Sequence, residues 1–182
     1  DVLSESTGAE LLAYINAERI SAEEEVRAGR AEFDDRFGGV NCRGPGQFGL
    51  RQDLYLPVSE PIVSTALTEV FKSLRPLLLT TVGPEATLHE ISSLVADPGA
   101  PRQCVHADTI VLPCPQYPDA SMAPLYTFFV ALQDVEDDMG HTVFLPRTHL
   151  PEAHLLWNSG QRQKETFISV HKAVQSKLRR GD

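Results

Sequence analysis

The sequence predicts a mainly β protein with flanking helices, a sandwich or jelly roll, and three observations predict it. After Glu85 the chain breaks into short runs rich in β-branched, aromatic and aliphatic residues: Thr87 to Val95, Gln103 to Leu112, Tyr126 to Val135 and Thr142 to Leu145. Pro, Gly and Asp clusters separate these runs, so successive strands are joined by turns rather than by helices. The clearest helical pattern comes before them, in the first half of the chain.

That first half starts with a helix. Thr7-Gly-Ala-Glu10 has capping-box spacing, and Leu11, Leu12 and Ile15 follow at helical intervals. The charge-alternating stretch from Glu18 to Asp35 reads as a continuation of the helix or as a solvated arm. Gly38 to Gly49 is glycine-rich but has neither GxxxxGK[ST] nor a GxGxxG opening a helix, so it reads as a loop. Ser59-Glu60-Pro61 starts a second helix, with Ile62, Ala66, Leu67, Val70, Phe71 and Leu74 marking one helical face. Pro76 is expected to perturb that helix and Gly83-Pro84 to end it. The tail from Glu165 to Leu178 fits either a strand or a short helix.

A chain of 182 residues with 42% hydrophobic and 23% charged content reads as a single domain, residues 1–84 a mostly helical lead-in and 85–182 the β core. The net charge of −9 argues against a nucleic-acid partner, and the one basic cluster, Lys177 to Arg180, does not change that. The longest apolar run, Leu77 to Val82, is far short of the roughly 20 residues that cross a bilayer. Cys42, Cys104 and Cys114 are odd in number and form no CxxC, which points to thiols in a reducing compartment, cytoplasmic or the interior of an organelle. The chain starts at Asp1 without an initiator Met and stops at Arg180-Gly181-Asp182, and both ends read as cuts.

The chemistry-bearing candidate is His106-Ala107-Asp108. A non-haem iron centre takes two imidazoles and one carboxylate on one face of an octahedron, leaving the other positions for cosubstrate and dioxygen. On a strand, residues two apart project to the same side, so His106 and Asp108 would point together into a barrel. Alone the motif is near chance, with about 0.4 occurrences expected in a chain of this composition. Its context carries more: a loop at Asp97 to Arg102 before it, a Pro-rich stretch from Pro113 to Pro118 after it, then Tyr126 to Asp134 and an acidic turn, then Gly140 to His149.

In this order of parts the chain resembles the phytanoyl-CoA dioxygenase-like family of Fe(II)/2-oxoglutarate-dependent oxygenases. Gly140-His-Thr-Val-Phe-Leu-Pro146-Arg-Thr-His149 is similar to the family's Val-x-Pro-Gly-Ser/Thr-His segment, with Arg147 in place of the usual glycine. Asp53-Leu-Tyr-Leu-Pro57 and the helix after it resemble the family's lead-in. The resemblance implies a double-stranded β-helix (jelly roll, cupin-like) lacking its last strands, with Fe(II) held by His106 and Asp108 and with 2-oxoglutarate as cosubstrate. It implies hydroxylation of a small organic substrate, whose identity the sequence does not give.

The family's distal His and the Arg that anchors 2-oxoglutarate follow a Gly-Asp turn, which Gly181-Asp182 resembles, so both are expected beyond this chain. His171 is the best internal substitute for the third ligand; His149 matches a loop His that is not a ligand, and His141 and His154 read as polar neighbours. Gln103 is a candidate to hydrogen-bond in the cosubstrate pocket, or else faces a turn. Phe129 matches a pocket-lining aromatic, or else Phe128 and Phe129 are opposite faces of a buried strand. The alternative to an oxygenase is a catalytically inactive or truncated jelly-roll binding protein with an incomplete metal site; a third reading is a cupin-like metalloenzyme that does not use 2-oxoglutarate. Oligomeric state is not legible.

Overall fold

A computed structural model describes residues 1–39, 49–108, 125–158 and 161–182. In chain order the elements are α1 (Glu5–Arg27), α2 (Phe33–Arg36), β1 (Arg51–Tyr55), α3 (Pro61–Thr81), β2 (Ser92–Ala96), β3 (Val143–Phe144), α4 (Pro151–Asn158), α5 (Gln161–Val170) and β4 (Val174–Gln175). Helix accounts for 41% and strand for 10%, in two two-stranded antiparallel sheets. The mainly β expectation is therefore wrong, and no jelly roll is present among the described residues: that fold needs about eight strands in two packed sheets.

The chain divides into two compact units. The first holds residues 1–105, 128–135 and 178–182, and the second residues 106–127 and 136–177.

In the first unit, α1 starts three residues before the expected cap. Ser4, not Thr7, is the N-cap, and its hydroxyl accepts from the Thr7 backbone N–H at 3.3 Å. Thr7 turns outward to α3, donating to Glu69 Oε1 at 2.6 Å, while the Ser4 N–H donates to Glu69 Oε2 at 2.8 Å. Leu11, Ile15 and Ala22 form the buried stripe of α1, facing Ile62, Val63 and Ala66 of α3. These spacings of three, four and seven place side chains on one helical face.

β1 alternates as the period of two demands: Gln52 and Leu54 are buried, Arg51, Asp53 and Tyr55 half-buried. It pairs with β2 from Arg51↔Ala96 to Tyr55↔Ser92. Phe37 forms a bridge with Leu54 on the other edge and stacks on Phe33 at 5.3 Å between ring centres. Arg19 of α1 pairs with Asp97 just past β2 at 2.8 Å, and Arg36 pairs with Glu18.

α3 runs through Pro76 to Thr81, so the expected disruption does not occur. Pro76 lies on an exposed stretch, where water can take the carbonyl left without an N–H partner. Gly83, at φ 81, ends the helix by donating its N–H to Leu78 O at 3.1 Å.

Three of the four expected strands shrink or vanish. Thr87 to Val95 contracts and shifts to Ser92–Ala96, and Thr142 to Leu145 to Val143–Phe144. Tyr126 to Val135 is no strand: Leu125, Tyr126, Phe128 and Phe129 are all 40–50% exposed. Ala131 and Val135, at its end, bond to Asp182, Gly181 and Leu178. Gly181, at φ 86, is required there because a Cβ would lie 2.5 Å from Leu3 O. Of Gln103 to Leu112, the described part, up to Asp108, is irregular. Residues 109–112, the Pro113 to Pro118 stretch, Cys42, Cys114 and most of the glycine-rich loop lie outside the described residues.

In the second unit β3 pairs with β4 (Val143↔Gln175, Phe144↔Val174), and α4 and α5 form a helical hairpin. Phe167 is buried between Trp157, edge-on at 5.7 Å, and His171, at 4.1 Å. His141 ties the acidic turn to the second strand: Nδ1 lies 2.9 Å from Ser176 O and Nε2 3.4 Å from Asp137 Oδ1. No described helix is long and apolar enough to cross a membrane.

The Glu69 contacts carry a pH dependence. Hydrogen bonds from Thr7 and from the Ser4 backbone hold its carboxyl below the usual glutamate range. The folded state thus binds this proton less tightly than the unfolded chain. The stabilisation is complete above the unfolded value and is lost as pH falls through the folded one. A Glu69→Gln variant is expected to lose part of the wild-type's stability gain between about pH 3 and 5, read by urea midpoints across that range.

Candidate metal site at His106 and Asp108

The segment leading to the site is tied to β1. Asp97 N–H donates to Leu50 O at 2.6 Å and Arg51 Nη1 to Pro101 O at 3.1 Å, either side of Gly99 at φ 87. Beyond this anchor the backbone is irregular to Asp108, which sits at a bend. The two candidate ligands do come together: His106 Nε2 lies 3.5 Å from Asp108 Oδ1. Their convergence comes from the bend, not from strand alternation. His106 is 27% and Asp108 59% exposed at the side chain, so both can reach a solvated ion without opening a core.

The donor set and spacing fit a divalent cation. Donors about 2.1 Å from one metal lie about 3.0 Å apart at a right angle and about 3.4 Å apart at the tetrahedral angle. A separation of 3.5 Å is therefore within a small side-chain adjustment of shared coordination. An imidazole with a carboxylate suits Fe(II), Mn(II) or Zn(II). Among the described residues no group of three His, Cys, Asp or Glu side chains gathers to hold a metal.

Gln103, half-buried, and Phe129, 46% exposed, belong to the first unit, whereas His106 and Asp108 belong to the second. Phe129 does not line a buried strand face. His171 caps α5, its Nδ1 2.7 Å from Phe167 O, and joins no metal-binding group among the described residues. His154 is held below the ordinary histidine range, first by burial and then by the charge of His149. His89 is exposed, and so is Cys104.

Two features escaped the residue pattern. Asp53 was legible only as part of a segment resembling a helical lead-in, yet its half-buried carboxyl is pushed above the usual range by desolvation, with a Ser92 hydrogen bond opposing. Its Oδ1 is buried without a hydrogen-bond partner, and the carboxyl fills the space where a Cβ on Gly38 would stand. Because the folded state holds this proton more tightly, the carboxylate weakens the fold at neutral pH and that penalty fades as pH falls through the folded value. Asp53→Asn is expected to raise the urea midpoint at pH 7 and to lose its advantage near pH 4, while keeping the acceptor for Ser92.

The second feature is Arg147, at φ 66. It is a residue with a full side chain on a glycine-type backbone, at a strain of about 1–2 kcal/mol.

Compared with known protein families, with curated proteins and with solved structures, the chain shows no match.

Proposed function

We propose that the chain is an Fe(II)- and 2-oxoglutarate-dependent oxygenase of the phytanoyl-CoA dioxygenase-like type that hydroxylates a small organic substrate, with His106 and Asp108 as two of its iron ligands. The single observation that carries this reading is the 3.5 Å approach of His106 Nε2 to Asp108 Oδ1 on an accessible segment. The left-handed backbone at Arg147 supports it too, because the resembling segment has glycine there. The jelly-roll scaffold is no part of the proposal.

In this reading the His106 imidazole supplies a neutral nitrogen donor and the Asp108 carboxylate an anionic oxygen. The bound metal would supply the oxidation chemistry. Asp108 also offsets part of the metal's charge, and its exposure leaves room for an oxo acid to approach. Two protein ligands predict weak, reversible binding, since affinity grows with ligand number and pre-formed geometry.

The absence of a third ligand group among the described residues favours a second reading, a binding protein with an incomplete metal site and no turnover. Anaerobic loading with Fe(II), followed by 2-oxoglutarate, ascorbate and air, separates the two. The oxygenase reading expects succinate to form and His106→Ala to abolish it. Metal binding without succinate moves the chain to the second reading. Succinate formation unchanged by His106→Ala rejects the site.

A further inference from the structure

We draw no further inference here: the strongest candidate, the groove at the N-terminal end of α1 lined by Ser4, Glu69, Lys72 and Ser73, is a helix N-terminus where Ser4 and Thr7 already donate to Glu69, and nothing in the structure points to a ligand there.

Discussion

Phe37→Ala is expected to destabilise the first unit by about 3–5 kcal/mol. The ring is 1% exposed, stacks on Phe33, and sits where the chain bridges to Leu54, itself fully buried. Removing it leaves a cavity between α1, α2 and β1, and the two-stranded sheet has few neighbours to close it. Domains of this size are stable by only about 5–15 kcal/mol, so the loss is a large share of the total. Urea unfolding followed at 222 nm reads the effect, since α1 and α3 supply most of the helical signal. Phe71→Ala is the control: Phe71 is 42% exposed on α3, and its removal should cost under about 1 kcal/mol. Equal losses for the two would contradict the placement of the core.

His106→Ala is expected to weaken divalent-metal binding by at least about 100-fold. Even groups that merely orient a metal ligand are worth about 10–100-fold in affinity, and a ligand is worth more. His106 and Asp108 lie on an irregular, accessible segment, so neither substitution should shift the helical signal or the urea midpoint appreciably. Asp108→Asn should bind less weakly than Asp108→Ala, because the amide keeps an oxygen donor but loses the charge. Metal competes with protons for the imidazole, so wild-type affinity should also fall on acidification.

The helices were the more legible half of the fold. Leu11 and Ile15 in α1, and Ile62 and Ala66 in α3, are spaced so that only a helix buries them together. Ser4 was missed as a cap because Thr7 and Glu10 form an equally good pattern three residues later; the contact of Ser4 and Thr7 with Glu69 is tertiary, and local sequence carries no trace of it. The β reading failed where apolar residues run on without alternation. Tyr126 to Val130 fits a doubly buried strand by composition, but Tyr126, Phe128 and Phe129 are 40–47% exposed, so neither face is covered. β1 was hidden for the opposite reason, since Gln52 and Asp53 are polar while the strand is largely buried. Glu165 to Leu178 fitted both helix and strand, and it holds both, the end of α5 and β4.

The candidate site was legible as residue types and spacing, not as geometry. His106 and Asp108 converge, but at a bend. Gln103 and Phe129 depended on a β scaffold for their roles, and without it they lose the argument that placed them beside the metal.

Mn(II) titration followed by electron paramagnetic resonance on the wild type, His106→Ala and Asp108→Ala tests the metal pair most directly. The expected result is saturable loss of the free-ion signal in the wild type and little loss in either variant at the same concentrations. Equal uptake by all three proteins, or none by the wild type at millimolar Mn(II), would contradict His106 and Asp108 as the ligands.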